Sequence, residues 1–242
     1  MSHPADIAHM AAALSLARRG PGQVAPNPAV GCVLVKDGWV VGRGWTQPGG
    51  RPHAETEALR RAGTAARGAT AYVSLEPCAH HGRTPPCAEA LIEAGIARCL
   101  AATLDPDPRV SGRGLALLEK AGVAVESGLL EAEARALNAG FLSRLERGRP
   151  LVTLKLAMTL DGRIATAAGE SRWITGEAAR AHAQLLRAEH DAVLVGSGTA
   201  LADDPRLTLR LPGLEGRRLV RIVADGRLRL PLTSVLVAAA SE

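Results

Sequence analysis

Short β-type segments alternate with helical segments along the first 150 residues, and this alternation constrains the fold more than any other feature. Two β-type segments, 30–35 and 39–44, flank Lys36-Asp37-Gly38, and Asp-Gly between two such segments is a strong β-hairpin signal. The pattern predicts helices at 6–19, 53–62, 86–94, 114–121 and 130–145, and further strands at 69–75, 97–104 and 123–126. This order predicts an α/β domain, a mixed sheet with helices packed on both faces.

The segment Arg147-Gly148-Arg149-Pro150 marks a domain boundary, because it is basic, carries glycine and ends in a proline that disfavours helix before it. We therefore predict domains at 1–148 and 149–242. The second domain has predicted strands at 151–158, 192–196 and 219–224, a helix at 177–189 and a last apolar run at 234–240. One long helix would leave one face of that sheet uncovered, so we expect the second domain to be incomplete.

Charge and composition restrict the partners. The formal net charge of +5 comes from scattered arginines, which suits an anionic small molecule as well as a nucleic acid. Three Trp, one Tyr and one Phe give little material for base stacking, so we do not expect nucleic-acid binding. No apolar run approaches the roughly 20 residues that span a bilayer, and the first residues carry no export signal. We expect a cytoplasmic protein without a membrane partner, and homo-oligomer formation stays open.

The four cysteines fall into two kinds of surroundings. Cys32 and Cys99 lie in apolar segments and are expected to be small buried side chains. Cys78 and Cys87 lie at the two ends of a polar, proline-rich loop. In a chain without an export signal such cysteines are more often metal ligands than disulfides, so this pair is a candidate for metal binding.

The motif His53-Ala54-Glu55 completes a zinc constellation with Cys78 and Cys87. One imidazole and two thiolates leave the fourth tetrahedral position for water, which is the arrangement of catalytic zinc. Zinc lowers the pKa of its water toward about 7, and Glu55 lies near enough to relay protons. Zinc deaminases share the signature H-x-E…P-C-x-x-C. Here eight residues, rather than two, separate the cysteines, and Pro86 predicts that Cys87 lies at the start of a helix.

Two alternatives to a catalytic zinc site stay open. His53 can be an ordinary surface histidine beside incidental cysteines, or the cysteines can form a structural zinc site with His80 or His81 as the fourth ligand. Either alternative leaves Glu55 without a role, so the catalytic interpretation is favoured.

Two sets of motifs, one on each side of the predicted boundary, carry a family resemblance. In the first domain they are Pro26-Asn27-Pro28-Ala29-Val30-Gly31-Cys32, His53-Ala54-Glu55 and Glu76-Pro77-Cys78-Ala79-His80-His81-Gly82-Arg83-Thr84-Pro85-Pro86-Cys87. In the second they are Lys155-Leu156-Ala157-Met158-Thr159-Leu160-Asp161-Gly162-Arg163, Gly169-Glu170-Ser171-Arg172-Trp173-Ile174-Thr175 and Leu201-Ala202-Asp203-Asp204-Pro205. The chain resembles the bifunctional riboflavin-biosynthesis deaminase/reductase family along its whole length.

The resemblance implies a cytidine-deaminase-like domain followed by a dihydrofolate-reductase-like domain. It implies Zn²⁺ as the cofactor of the first domain and NADPH as that of the second. The implied first reaction is hydrolytic deamination of 2,5-diamino-6-ribosylamino-4(3H)-pyrimidinone 5′-phosphate, and the second reduces the ribosyl group of the product to ribityl. Family members continue past residue 242 into a Gly-rich, phosphate-cradling segment, so we expect this chain to deaminate but scarcely to reduce.

The resemblance also implies binding residues. In the first domain Asn27 is expected to contact the substrate, and His80 and Arg83 to hold its phosphate; the alternative for each is a local turn hydrogen bond. In the second domain the NADPH contacts are Ala157, Trp173, Thr199 and Asp203, and the substrate contacts are Ser171, Arg187, Leu207 and Arg210. The alternatives are that Trp173 is plain core and that Arg187 belongs to a solvated helix face.

One position departs from the family pattern, and other enzyme classes stay open. The family usually has Asp-Pro-Asn-Pro where this chain has Asp105-Pro106-Asp107-Pro108, and an added carboxylate near an anionic substrate is expected to be unfavourable. A tRNA adenosine deaminase or a cytidine deaminase shares H-x-E, and a non-catalytic zinc-bearing fragment is the alternative outside enzymes. The sequence leaves open whether the chain is a fragment, a frameshifted product or a natural truncation.

Overall fold

The structure, a computed structural model, describes residues 3–82 and 85–240. The chain divides between Leu151 and Val152 into two units. The helices of the first unit are α1 (Pro4–Ala17), α2 (Ala54–Ala62), α3 (Cys87–Glu93), α4 (Arg113–Lys120), α5 (Glu131–Leu137) and α6 (Ala139–Arg147). Its strands are β1 (Gly31–Lys36), β2 (Trp39–Trp45), β3 (Thr70–Val73), β4 (Arg98–Ala101) and β5 (Ala124–Ser127).

The five strands form one mixed sheet in the order β2-β1-β3-β4-β5. Strand β1 is antiparallel to β2 and β3, whereas β3, β4 and β5 run parallel. Asp37 and Gly38 both have positive φ, 51° and 79°, as a type I′ hairpin turn requires, and Lys36 pairs with Trp39 across it. The predicted hairpin and the mixed sheet are confirmed.

Helices cover both faces of this sheet. Side chains alternate in direction along each strand, so each face contributes its own set of buried side chains. Val33 and Val35 of β1 pack in one cluster with α1 and α5, to which Met10 contributes. Cys32 and Leu34 point the other way into a cluster with α2, α3 and α4. Cys32 and Cys99 are fully buried there, as predicted, and the α/β architecture with two covered faces is confirmed.

Helix α2 lies unusually close to strand β2 because glycines face it. A Cβ atom at Gly44 would lie 2.1 Å from the carbonyl oxygen of Ala54, and one at Gly42 would lie 2.4 Å from that of Ala58. Both distances are far below van der Waals contact, so any side chain at these positions would push the helix away. The glycines therefore set how deeply the start of α2 sits on the sheet.

The long helix predicted at 130–145 is interrupted. Asn138 adopts φ −100° and ψ 19°, outside the helical region, and separates α5 from α6. Its side chain is buried and hydrogen-bonded to the backbone of Ala29, far away in sequence. A tertiary contact has thus overridden the helical periodicity, which continues on both sides of the break.

The second unit has helices α7 (Glu177–Ala188), α8 (Ser197–Asp203) and α9 (Val235–Ala238) and a two-stranded parallel sheet of β6 (Ala192–Gly196) and β7 (Val220–Ala224). The strand predicted at 151–158 is wrong: that segment is irregular, and Val152 is 83% exposed. Helix α8 was not predicted. Among the residues that the structure describes, no helix is both long and apolar enough to span a bilayer.

Asp6 near the start of α1 is the centre of a buried polar cluster. Its carboxylate accepts a hydrogen bond from the Tyr72 hydroxyl at 2.6 Å and two from Arg98, each at 3.1 Å. The hydrogen bond from Arg98 is the main reason that the pKa of Asp6 is lowered. A carboxyl whose pKa is lower in the folded state stabilises the fold above its unfolded pKa of about 3.9, and this stabilisation is lost as the pH falls through the folded pKa.

We expect Asp6→Asn to lower the free energy of unfolding by about 1–3 kcal/mol at pH 7, since charged hydrogen bonds to Arg98 are lost. The gap between the two proteins should narrow as the pH falls below about 4, where the wild-type carboxylate also begins to protonate. Urea denaturation at pH 7 and at pH 3.5 measures both values. An equal gap at the two pH values would contradict an electrostatic role for Asp6.

Candidate active site

Three side chains from three separate segments of the chain meet at one end of the sheet. His53 directly precedes α2, Cys78 lies in the loop after β3, and Cys87 is the first residue of α3. Their ligand atoms all lie within 4.8 Å of one another. The imidazole Nδ1 of His53 is 3.3 Å from the Cys87 sulfur and 3.7 Å from the Cys78 sulfur. Nδ1, rather than Nε2, is therefore the nitrogen that faces the two sulfurs.

These distances fit a tetrahedral zinc ion. Zinc–sulfur bonds of about 2.3 Å and zinc–nitrogen bonds of about 2.0–2.1 Å place a nitrogen and a sulfur about 3.6 Å apart at a tetrahedral angle. The observed separations of 3.3 and 3.7 Å lie on either side of that value. The eight-residue spacing between the cysteines does not prevent this geometry, because the backbone N–H of Cys87 also donates to the Cys78 sulfur at 3.3 Å.

One hydrogen bond between the two thiols shifts their pKa values in opposite directions. A hydrogen bond from the Cys87 thiol is the main cause that lowers the pKa of Cys78 to about 4. The same hydrogen bond, together with burial, raises the pKa of Cys87 well above its usual range. The hydrogen bond with Cys78 also raises the pKa of His53. These shifts favour the thiolate form of Cys78, and thiolate is the form in which cysteine binds metal.

Glu55 lies in the first turn of α2, two residues after His53, and is only 3% exposed. Burial, followed by the negative charge of Cys78, raises the pKa of Glu55 to about 7. A hydrogen bond joins Glu55 to Cys87. A divalent cation among the three donors would oppose this rise, since it favours the carboxylate. Glu55 itself is outside the group of three metal donors, as predicted for a proton shuttle.

A cavity of about 220 Å³ opens onto these residues. It is lined by two of the metal donors, by Glu55, and by Asn27 and His80, which were predicted to bind substrate. Asn27 donates through Nδ2 to the carbonyl oxygen of Gly50 at 2.8 Å, and this nitrogen lies 3.5 Å from Nε2 of His53. Arg83, the third predicted substrate contact of this half, lies outside the described residues.

The structural-zinc alternative receives no support. Among the described residues neither His80 nor His81 belongs to the group of metal donors. His81 instead lies 3.6 Å from Glu89 on the surface. His80 lines the cavity, and its buried Nδ1 has no hydrogen-bond partner among the described residues. An unpaired polar atom at a cavity wall is available to a bound molecule.

The 105–109 segment forms another wall of the cavity. In this segment the expectation that the Asp107 carboxylate is unfavourable is wrong. Asp107 is buried, and its carboxylate accepts hydrogen bonds from the backbone and guanidinium of Arg109, the shortest at 2.5 Å. The hydrogen bonds from Arg109 are the main cause that lowers the pKa of Asp107 to about 2. The added carboxylate, expected to be unfavourable, is therefore offset by a cation two residues away.

Glu76 holds the backbone of the segment that follows β4, which includes Asp105 of this wall. Its buried carboxylate accepts hydrogen bonds from four backbone N–H groups, between 2.8 and 3.4 Å, which are those of Asp105, Gly112, Gly114 and Leu115. No role of its own was predicted for Glu76, although it directly precedes Pro77-Cys78. A buried carboxylate with four donors orders the segment that it binds.

Sequence reasoning missed several other residues at the cavity. They line it from the loop before α2, from the 105–109 segment and from α6, and they are Arg51, Asp105, Arg109, Phe141 and Arg144. Burial raises the pKa of Asp105 to about 6. No local signal identifies the α6 residues, because only the tertiary packing brings that helix to the cavity.

In the second unit most of the predicted site residues fall into two groups. Arg187 of α7 donates to the carbonyl oxygen of Thr208 at 2.7 Å, and the backbone N–H of Arg210 donates to Gln184 of α7 at 3.2 Å. These bonds bring Arg187 to the segment that holds Leu207 and Arg210. Arg187 is half-buried, and burial, followed by the charge of Arg210, lowers its pKa.

The second group lies around Asp203. Arg172, which stands between Ser171 and Trp173, forms an ion pair with Asp203 at 3.3 Å. Trp173 is 71% exposed and stacks under the guanidinium of Arg180, so its interpretation as plain core is wrong. Within the described ranges no hydrogen bond or ion pair joins Ala157 or Thr199 to the other predicted contacts.

Fold and site together define a zinc-binding domain of the cytidine-deaminase class, joined to a second unit. Residues 4–103 match the family model described as the cytidine and deoxycytidylate deaminase zinc-binding region, and residues 150–242 match the RibD C-terminal domain. The chain belongs to the RibD family of riboflavin biosynthesis proteins.

The relatives match almost the whole chain. The riboflavin biosynthesis protein RibD of Escherichia coli is 53% identical over 93% of this chain, and that of Aquifex aeolicus is 50% identical over 95%. A solved RibD structure from Acinetobacter baumannii is 49% identical, with a TM-score of 0.88 over 96% of this chain and 67% of its own. The chain spans about 64% of the length of the E. coli and A. aeolicus proteins.

A further solved relative carries a descriptive name. It is the diaminohydroxyphosphoribosylaminopyrimidine deaminase/5-amino-6-(5-phosphoribosylamino)uracil reductase of Thermotoga maritima, 44% identical, with a TM-score of 0.85. That match covers 91% of this chain and 63% of the T. maritima chain. It includes residues of both units, since neither unit alone reaches that share of the chain.

Proposed function

We propose that the first unit is the hydrolytic deaminase of riboflavin biosynthesis, acting on 2,5-diamino-6-ribosylamino-4(3H)-pyrimidinone 5′-phosphate. The observation that carries this proposal is the convergence of His53, Cys78 and Cys87 with the buried Glu55 on one cavity. The match of residues 4–103 to a zinc-binding deaminase region supports the chemistry, and the name of the T. maritima relative supports the substrate. We assign Zn²⁺ to His53, Cys78 and Cys87.

When bound, zinc supplies a hydroxide nucleophile near neutral pH by lowering the pKa of water. The Glu55 carboxylate takes a proton from that water and delivers it to the ring nitrogen beside the amine-bearing carbon. Glu55 then carries the remaining hydroxyl proton to the amine, the carbon–nitrogen bond breaks, and ammonia leaves as the carbonyl forms. Burial of Glu55 keeps competing water away from these transfers.

The remaining cavity residues bind and orient the substrate in this proposal. Asn27, held by Gly50, presents its amide beside the metal donors. His80, with its unpaired Nδ1, and Arg83 hold the phosphate. The thiolate ligands require reduced cysteines, which suits a cytoplasmic reaction on a small phosphorylated molecule.

For the second unit we propose that it contributes NADPH contacts and substrate contacts to the family's reduction of the ribosyl group. The match of residues 150–242 to the RibD C-terminal domain supports this assignment. Ala157, Trp173, Thr199 and Asp203 are the proposed cofactor contacts. Ser171, Arg187, Leu207 and Arg210 are the proposed substrate contacts. Oxidation of NADPH in the presence of the deaminated product measures this activity separately from the first.

A tRNA adenosine deaminase or cytidine deaminase shares the zinc motif but is not favoured, because the second unit matches the RibD C-terminal domain. The deciding experiment measures ammonia release by the zinc-loaded protein from the diaminopyrimidinone phosphate, from cytidine and from tRNA. We expect release from the first compound only, and its loss after treatment with a chelator. Ammonia from cytidine or tRNA, with none from the diaminopyrimidinone phosphate, would overturn the proposal.

The ion pair of Asp107 with Arg109 gives a prediction for substrate affinity. Arg109→Ala removes the cation and leaves the Asp107 carboxylate facing the cavity. The uncompensated charge repels the phosphorylated substrate, so we expect KM for that substrate to rise. Solvent and salt screen this repulsion, which limits the rise to about 10-fold. Asp107→Asn in the same protein removes the uncovered charge and should return KM to near the wild-type value. A double variant as impaired as Arg109→Ala would contradict charge compensation.

A further inference from the structure

The break between α5 and α6 places a buried amide against the loop that carries Asn27. Asn138 is 4% exposed. Its Oδ1 accepts a hydrogen bond from the backbone N–H of Ala29, and its Nδ2 donates to the carbonyl oxygen of Ala29, both at 2.9 Å. One side chain thus satisfies both backbone groups of a residue 109 positions earlier in the chain.

Ala29 lies two residues after Asn27, and the loop is held on both sides of that asparagine. On the near side Arg144 of α6 donates to the carbonyl oxygen of Pro26 at 2.8 Å. On the far side Asn138 holds Ala29, the first residue after Asn27 with a backbone N–H, because Pro28 has none. The contact with Pro26 comes from within α6, and the contact with Ala29 comes from Asn138, the residue directly before α6.

The same segment and loop form one wall of the cavity. Phe141, Arg144 and Leu145 line it from α6, and Pro26, Asn27 and Pro28 line it from the loop. The amide of Asn138 therefore joins the two parts of this wall behind the surface that a substrate touches. If Asn138 were replaced by an apolar residue, two buried backbone groups of Ala29 would lose their partners, and the loop would move to satisfy them.

We propose that Asn138 is a positioning residue for the deamination, acting through Asn27, which it holds beside His53. The inference rests on the proposed function, because it assigns a role in that reaction. Asn138 touches neither the metal donors nor the substrate in this assignment. Its effect is transmitted by the Pro26–Ala29 backbone, which includes Asn27.

A double-mutant cycle tests the coupling. We expect Asn138→Ala to lower kcat/KM for ammonia release by about 10- to 100-fold, the size of loss that a displacement of about 1 Å produces. In a protein that already carries Asn27→Ala, the same substitution should cost less than about 3-fold, because the group that it positions is gone. Losses that multiply in full would show that Asn138 does not act through Asn27.

Two measurements without turnover accompany the cycle. Zinc content should stay at one per chain in Asn138→Ala. Hydrogen exchange of the backbone N–H of Asn27, which donates to the carbonyl oxygen of Val24 at 2.9 Å, should become faster. The Ala29 amide is not the readout, because it loses its partner directly. If the wild-type protein releases no ammonia, the proposed function fails, yet the exchange rate of Asn27 still decides whether Asn138 orders the loop.

A matched control and a second variant complete the test. Glu133→Gln changes an exposed residue of α5 and should leave kinetics and exchange unchanged. If Asn138→Ala does not fold, Asn138→Ser replaces the amide with a smaller, neutral polar group, and it should show a change in the same direction. Unchanged exchange at Asn27 in a folded variant, or zinc loss that parallels the loss of activity, would overturn the proposal.

Discussion

Glu55→Gln is expected to keep its zinc and to lower the rate of ammonia release by about 10²- to 10⁴-fold, the usual contribution of a general acid–base group. The amide keeps the shape of the carboxyl in its buried position but can neither accept the proton of water nor deliver one to the ring nitrogen. The His53, Cys78 and Cys87 donors are untouched by the change. Zinc content and the rate of ammonia release are measured on the same preparation.

Glu57→Gln is the matched control, because Glu57 lies on the same helix and is also buried but pairs with Arg60 at 3.0 Å instead of lining the cavity. It should keep both zinc and activity. A wild-type rate in Glu55→Gln would show that another group moves the proton. Loss of zinc from Glu55→Gln would instead show that the carboxylate supports the metal.

Cys87→Ala is expected to lose most of its zinc, since two of the three donors then remain. Replacing a residue that only supports a zinc ligand already costs about 10- to 100-fold in metal affinity, so loss of a ligand should cost more than about 100-fold. Deamination should fall with the metal, because the nucleophile is no longer generated. Metal analysis after dialysis against a weak chelator measures the loss.

Cys99→Ala is the control for this substitution, because Cys99 is equally buried but lies on β4 away from the metal donors. It should retain one zinc per chain. Full retention of zinc in Cys87→Ala would mean that the ligands are misassigned. Equal loss in both variants would point to a general effect of removing a buried thiol.

The cluster of His53, Cys78 and Cys87 was predictable because short sequence motifs contain all three residues. His53-Ala54-Glu55 fixes the spacing between a ligand and a carboxylate, and Pro86 before Cys87 predicted a helix start, which the structure confirms. The hairpin at Asp37-Gly38 was predictable for the same reason, since its two positive φ angles are a local property. Each of these features depends on a few consecutive residues.

The features that sequence reasoning missed depend on residues far apart. The break at Asn138 requires Ala29, and nothing near Asn138 signals it. The strand predicted at 151–158 had the right apolar pattern, but a strand also needs a neighbour to pair with, and a pattern cannot show whether one is present. The carboxylate of Asp107 was judged by its charge alone, whereas its partner Arg109 changes the balance.

The glycines beneath α2 determine where this protein can tolerate change. Because the carbonyl oxygens of Ala54 and Ala58 rest almost directly on Gly44 and Gly42, even one added methyl group at either glycine would shift the helix that carries Glu55. Libraries that aim at a new amino-heterocycle are therefore best built on cavity side chains outside the contact between α2 and β2, such as Phe141 and Leu145. Gly42 and Gly44 leave no such freedom, so selection at these two positions is expected to return glycine.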